Sequence, residues 1–86
     1  MNNLETIGLN IKWYRYQQRL TQENLAKKIQ FKVAFVSSIE NGKANVTIST
    51  LESIANGLNV KLIDLLNEET ANQSKKLPSR FYHFNK

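Results

Sequence analysis

Apolar side chains recur at helical spacing near the start of the chain. One stripe, with intervals of three and four residues, consists of Leu4, Ile7, Ile11 and Tyr14. These intervals are those of one face of an α-helix, so the pattern predicts a first helix here. A second stripe on the same segment consists of Leu9, Trp13 and Tyr16. Because one neighbouring element covers only one stripe, we expect a further segment to pack on this helix.

The next two helices are indicated by their ends. Thr21 is a hydroxyl N-cap with Glu23 in the following turn, which predicts a second helix over Gln22–Ile29. Residues 30–32 are too few for a loop and predict a tight turn. A third helix follows from Val33 to about Asn41, where an Asn-Gly pair is a typical C-terminal stop.

The second half of the chain predicts two more helices and then a tail. Thr47 or Ser49 caps a fourth helix, whose inward residues are Leu51, Ile54, Ala55 and Leu58. A dense apolar run from Val60 to Leu66 predicts a short fifth helix that ends near Asn67. No segment alternates with a period of two, so the fold class is all-α. Residues 67–80 are polar and hold the only proline, which predicts a linker. We therefore expect a domain over residues 1–67 and a basic, aromatic-ended tail over residues 68–86.

Length and composition favour binding over catalysis. A chain of 86 residues forms one thin core with little room for a deep active-site cavity. The absence of cysteine excludes a disulfide framework, a zinc finger and a thiol nucleophile, and the single histidine, His83, cannot form a metal site alone. We expect no enzyme activity, metal or cofactor. The sequence has neither a secretion signal nor an apolar run of about 18 residues, which predicts a cytoplasmic protein without membrane contact.

The positive charge is unevenly distributed. The net charge of +5 divides into +4 over residues 1–46, −3 over residues 47–69 and +4 over residues 70–86. A basic first half indicates a polyanionic partner such as nucleic acid.

Four sequence motifs resemble those of a known family. In order along the chain they are LTQENLAKKI, FKVAFVSSIENGK, TLESIANGLNV and IDLL. Together they resemble the Cro/repressor helix-turn-helix family, also called the Xre family, over residues 7–66. The stretch AFVSSIENGKANVTISTLESIA is most similar to short stand-alone regulators, including controller proteins of restriction-modification operons. The resemblance implies a compact five-helix, lambda-repressor-like domain that binds double-stranded DNA and regulates transcription.

The resemblance also implies roles for particular residues. Gln22 matches a residue that binds a DNA phosphate, and Lys43 one that contacts the DNA backbone or a groove edge. The start and outer face of the third helix, which would read the major groove, consist of Lys32, Val33, Ala34, Ser37 and Ser38. The alternative for each polar residue of this set is ordinary solvated surface. Arg15 and Glu40 match a partly buried structural salt bridge.

The sequence departs from the family pattern at three positions. Gln30 and Arg19 stand where glycine is frequent, and a left-handed backbone at Gln30 would cost about 1–3 kcal/mol. Lys32 stands where the third helix is usually capped by Ser or Thr, which suggests that a phosphate contact replaces the cap. These departures concern the geometry of the turn and leave the predicted fold unchanged.

Assembly and the tail complete the expectations. Because one recognition helix reads half a site, we expect a homodimer on a near-palindromic operator, with its contact around residues 63–66. The alternative is an antitoxin-like or other protein-interaction module that binds a protein through its tail, with DNA binding secondary. The tail aromatics, Phe81, Tyr82 and Phe84, could cover the second stripe of the first helix or remain frayed.

Overall fold

The computed structural model describes residues 2–78, which form five α-helices and one 3-10 helix. Their order is α1 (Asn3–Gln17), α2 (Gln22–Ile29), α3 (Val33–Glu40), α4 (Ile48–Gly57), the 3-10 helix (Leu62–Leu66) and α5 (Glu68–Ser74). No β-strand occurs in this part of the chain, so the all-α prediction is confirmed. No helix among these residues is long and apolar enough to cross a membrane.

Polar side chains cap the N-termini of four of these α-helices. The Asn2 and Thr21 side chains accept hydrogen bonds from backbone N–H groups three residues later, at 2.8 Å and 3.0 Å. Thr47, rather than the alternative Ser49, caps α4 in the same way, and Asn67 caps α5. Each such bond satisfies a donor that the first helical turn leaves unpaired. The exception is α3, where Lys32 is the N-cap residue and makes no side-chain cap bond.

Left-handed residues end four helices. A residue with positive φ follows each of α1, α2, α3 and α4. In that order these residues are Arg19, Gln30, Gly42 and Asn59, with φ of 57°, 62°, 72° and 57°. At the end of α2, the N–H of Phe31 donates to the Ala26 carbonyl oxygen at 2.8 Å, and the N–H of Gln30 to that of Lys27 at 3.3 Å. These two bonds form the Schellman motif that closes many helices, usually with glycine at the left-handed position. The expected left-handed backbone at Gln30 is therefore present.

The core is centred on α1 and receives a side chain from every later element up to the 3-10 helix. Its most buried large residues are Ile11, Leu25, Val36, Ile54, Leu58 and Leu65, none more than 2% exposed. Burying each stabilises the fold by about 1.5–3 kcal/mol relative to exposure. Gly8 allows α1 to approach α3 closely, because a Cβ there would lie 2.5 Å from the carbonyl oxygens of both Ile39 and Glu40.

The predicted linker is wrong for residues 68–74, which form α5 and pack against α1. Asn67 provides the N-cap, and Glu68 and Glu69 complement the positive end of the helix dipole. Ala71 and Ser74 lie three residues apart on the inward face, and both are fully buried. Small residues permit close packing but give little apolar signal in a sequence, which is why this helix resembles a linker. The packed unit therefore extends beyond residue 67.

Two other boundaries differ slightly from the prediction. The third helix ends at Glu40, and Asn41 is its C-cap residue. The fifth predicted helix ends beside Asn67 as expected, but it is a 3-10 helix, which begins at Leu62. Residues i and i+3 eclipse each other in this geometry. Leu62 and Leu65 therefore share the inward face, whereas Ile63 and Leu66 share the outward face, where they are 67% and 43% exposed.

The described chain ends beside α1. The hydroxyl of Tyr16, a buried residue of the second apolar stripe, donates a hydrogen bond to the carbonyl oxygen of Pro78. The pKa of Tyr16 is raised, mainly by burial of its hydroxyl; the Arg15 charge lowers it and the Glu40 charge raises it. The hydroxyl therefore keeps its proton at neutral pH. The two alternatives for Phe81, Tyr82 and Phe84, docking on α1 or fraying, lie outside the described residues, and α5 packs against α1.

Candidate nucleic-acid interface

The interface is built on two short helices that pack against each other, α2 and α3. Leu25 and Ala26 of α2 and Val36 and Ile39 of α3 face the core and are at most 3% exposed. These contacts orient α3 with its N-terminal end exposed. The exposed residues at this end are Lys32, Val33, Ala34 and Phe35. Ser37 and Ser38, one turn further along, are half-buried.

An aromatic pair supports the start of α3. The ring centroids of Phe31 and Phe35 lie 5.6 Å apart, with the ring planes tilted by 42°. Phe31 is half-buried against the core, whereas Phe35 is 37% exposed. Aromatic pairs at this spacing stabilise each other beyond the area that they bury. The pair therefore stiffens the junction between the turn and α3, where no side-chain cap is present.

The ion pair implied for Arg15 and Glu40 is present and buried. Arg15 Nε lies 2.6 Å from Glu40 Oε2 and Arg15 Nη2 lies 2.9 Å from Glu40 Oε1, which is a two-point contact. Arg15 Nη1 also donates to the Leu20 carbonyl oxygen at 2.8 Å. The pair links α1, the segment before α2 and the end of α3. It therefore fixes the orientation of the helix that carries the candidate base-reading residues.

Gln22 is held by the same ion pair. Its Nε2 donates a hydrogen bond to Glu40 Oε1 at 3.1 Å, and the residue is half-buried. An amide nitrogen carries two N–H donors, so this bond leaves one donor for another acceptor. The Thr21 side chain accepts a hydrogen bond from the N–H of Asn24. The N–H groups of Gln22 and Glu23 also belong to the first turn of α2, where no intrahelical acceptor exists for them. The contact with a phosphate expected of Gln22 stays a prediction.

The C-terminal end of α3 positions Lys43. Gly42 has a left-handed backbone. The N–H of Gly42 donates to the Ile39 carbonyl oxygen and the N–H of Lys43 to the Ser38 carbonyl oxygen, both at 3.0 Å, and these bonds close α3. Lys43 follows this closure with an exposed side chain, and Lys27 and Lys28 are exposed at the end of α2. All three amines are accessible to an anion, and the specific contact expected of Lys43 stays a prediction.

Two residues that sequence reasoning missed lie beside Gln22. Lys12 and Asn41 line a cleft of about 170 Å³, together with Gln22 and the ion pair of Arg15 and Glu40. The Lys12 amine also lies 5.6 Å from the centre of the Tyr16 ring, a cation–π contact. The spacing of three residues between Lys12 and Arg15 on one helix could have indicated that they share a face.

Among the described residues, no group of three His, Cys, Asp or Glu side chains could hold a metal ion.

Residues 11–65 match a family described as helix-turn-helix. The chain belongs to this family. It is 35% identical over 65 residues to the immunity repressor protein of Bacillus phage phi105, a match that covers 76% of this chain and 45% of that protein. It is 37% identical over 70 residues to the control protein C.MunI of a Mycoplasma species, covering 79% of this chain and 95% of that protein.

A solved structure extends the likeness to most of the chain. It is the restriction-modification controller protein C.Esp1396I, crystallised as a tetramer in complex with its natural 35 base-pair operator. The two chains are 32% identical with a TM-score of 0.71, and the match covers 88% of this chain and 99% of that one. The resemblance to controller proteins stated from the motifs is therefore confirmed. The chain spans less than half the length of the phage repressor but nearly all of the two controller proteins.

Proposed function

We propose that this protein is a sequence-specific regulator of transcription that binds double-stranded DNA. The observation that carries the proposal is the exposed N-terminal end of α3, held rigidly by its packing on α2 and by the buried ion pair of Arg15 and Glu40. A helix presented in this way fits the major groove, where its first turns meet base edges. The related repressor and controller proteins support the same function.

The side chains indicate how affinity divides between the DNA backbone and the bases. Val33 and Ala34 are exposed but can contact only a thymine methyl group or fill space. Ser37 and Ser38 offer single hydroxyls rather than the two-point contacts of Arg, Asn or Gln. Phosphate contacts from Lys32, Lys43 and Gln22, together with the shape of the DNA, therefore contribute most of the affinity.

We also propose that the protein binds its operator as a homodimer, through the outward face of the 3-10 helix. This dimer surface consists of Ile63 and Leu66, which are 67% and 43% exposed. One copy of α3 covers only half of a two-fold site, so two copies related by two-fold symmetry are required to read a near-palindrome. Apolar side chains of this size are typical of a contact between two copies of a chain.

Several further expectations accompany this function. The protein requires no metal or cofactor, because groove recognition uses side chains and backbone donors alone. It is not an enzyme, and it acts in the cytoplasm where its DNA partner is accessible. A protein partner bound through the tail remains the alternative role.

Selection of bound fragments from random duplex DNA tests the proposal. We expect an enriched near-palindrome, and an affinity that falls with salt by a logarithmic slope of about 0.9 per neutralised phosphate. Lys32→Ala and Lys43→Ala should each reduce this slope by about 1. Lys61→Ala is the matched control, because Lys61 is an exposed lysine at the N-cap of the 3-10 helix, outside α2 and α3, and it should leave the slope unchanged. Enrichment of no sequence, together with a flat salt dependence, would favour the protein-interaction alternative.

A further inference from the structure

A buried asparagine fixes the backbone next to the dimer surface. Asn10 of α1 is fully buried, and its Nδ2 lies 3.0 Å from the Leu65 carbonyl oxygen and 2.9 Å from that of Asn67. The same nitrogen lies 3.0 Å from the Thr6 carbonyl oxygen one turn back in α1. Three carbonyl oxygens can accept only from a donor, so the amide orientation is determined by its surroundings.

The two distant acceptors enclose Leu66. The Leu65 carbonyl belongs to the peptide group before Leu66, and the Asn67 carbonyl to the peptide group that opens α5. The Asn67 oxygen also accepts the first helical bond of α5, from the N–H of Ala71 at 3.1 Å. Asn10 therefore anchors the chain on both sides of the point where the 3-10 helix ends and α5 begins. Leu65 then faces the core at 0% exposure, and Leu66 faces outward at 43%.

Burial of this amide has both a cost and a benefit for stability. Asn10 Oδ1 is buried without a hydrogen-bond partner among the described residues. The unpaired buried oxygen offsets part of the gain from the donated bonds, whereas an apolar residue of similar volume would leave the Leu65 carbonyl oxygen without this donor. What an apolar residue could not supply is directional contact with two backbone carbonyls. Directional polar contacts of this kind specify one arrangement among several that packing alone would allow.

We propose that Asn10 is a positioning residue for self-association, which holds Leu66 and Ile63 in the orientation that a second copy of the chain requires. This inference rests on the dimer surface proposed above. Asn10 itself is inaccessible to the partner, so it acts only through the backbone of residues 65–67. Without its amide, α1 still packs on Leu65, but the outward pair is no longer fixed relative to the domain.

The test measures the dimer dissociation constant of the full chain by sedimentation equilibrium without DNA. Asn10→Leu should raise this constant by about tenfold or more. Thr6→Val is the matched control, because Thr6 is also buried on α1 but its hydroxyl donates to the carbonyl oxygen of Asn2, the N-cap residue of α1, at 3.1 Å. It should leave the constant unchanged even where it lowers the melting temperature. Asn10→Ala is a second variant if Asn10→Leu does not fold.

A double variant separates positioning from general destabilisation. In a Leu66→Ala background, Asn10→Leu should have little further effect on dimerisation, because the side chain that it positions is absent. Additive losses, or an equal loss for Thr6→Val, would overturn the inference. If the unaltered protein remains monomeric at all concentrations, the proposed dimer surface fails. A dimer that Asn10→Leu leaves intact refutes the positioning role alone.

Discussion

Arg15 and Glu40 form a two-point ion pair whose side chains are 5% and 3% exposed, joining the last turn of α1 to the last residue of α3. Neither charge is tolerable in the core without the other. We expect Arg15→Met to lower the free energy of unfolding by about 3–5 kcal/mol, because it leaves the Glu40 carboxylate buried and unpaired. Urea denaturation followed by circular dichroism measures this loss.

The double variant Arg15→Met/Glu40→Leu should recover much of the lost stability, since apolar residues of similar volume can replace a buried pair. Lys27→Met, an exposed change of the same type, is the control and should have little effect. A double variant that is no more stable than Arg15→Met would contradict the assignment of the loss to an unpaired charge.

The left-handed residue that ends α2 gives a second prediction. Gln30 has φ 62° and ψ 40°, a conformation that costs a residue with a Cβ more than it costs glycine. Gln30→Gly should therefore raise the free energy of unfolding by on the order of 1 kcal/mol, after the added freedom of the unfolded chain is deducted. The midpoint of urea denaturation measures the change.

Asn59→Gly is the informative comparison for Gln30. Asn59 occupies the equivalent position after α4 with φ 57°, but asparagine tolerates this region better than glutamine does. Its replacement should yield a smaller gain. If Gln30→Gly destabilises the protein, the strain assigned to this turn is absent.

The first four helices could be predicted from the sequence because their signals are strong and local. The cap Thr21, the Asn41-Gly42 stop and the spacing of Leu51, Ile54 and Leu58 each specify one structure. The sequence left only the cap of α4 open, between Thr47 and Ser49. The fifth α-helix could not be predicted, because its buried residues are small and its surface is polar. Only the excess apolar surface of α1 indicated that some segment must cover it.

Some contacts of the candidate site could likewise be predicted, and others could not. The partnership of Arg15 and Glu40 followed from the family resemblance, and the structure contains it. The hydrogen bond from Gln22 to Glu40 joins side chains that are 18 residues apart in sequence. The contact of the Asn10 side chain with the Leu65 carbonyl oxygen joins residues 55 apart. Pattern reasoning on one chain has no signal for such pairs, since neither residue alters the hydrophobic repeat of its own helix.

The packing of α5 gives a third prediction. Ala71 is fully buried against α1, whereas its neighbour Asn72 is exposed on the same helix. Ala71→Asp should cost several kcal/mol, on the order of 3, because it buries an unpaired carboxylate. Asn72→Asp is the control and should change stability by less than about 0.5 kcal/mol. Thermal unfolding distinguishes the two, and equal melting temperatures would mean that residues 68–74 behave as the linker first expected.

The last prediction concerns how the DNA-facing residues divide their roles. Gln22 lies at the start of α2, where it can reach a phosphate, so Gln22→Ala should weaken binding to all DNA sequences by a similar factor. Ser37 and Ser38 lie one turn into α3, where a hydroxyl can meet a base edge. Ser37→Ala or Ser38→Ala should instead change the preferred base at one position in each half-site, at a cost of about 1–3 kcal/mol for the original base. Binding measured on a set of single-base operator variants separates the two patterns.

Ser53→Ala, which changes an exposed serine on α4, is the control and should alter neither affinity nor base preference. A uniform loss from both α3 variants would mean that their hydroxyls contact the backbone, and base recognition would then fall to Val33, Ala34 and the deformability of the operator.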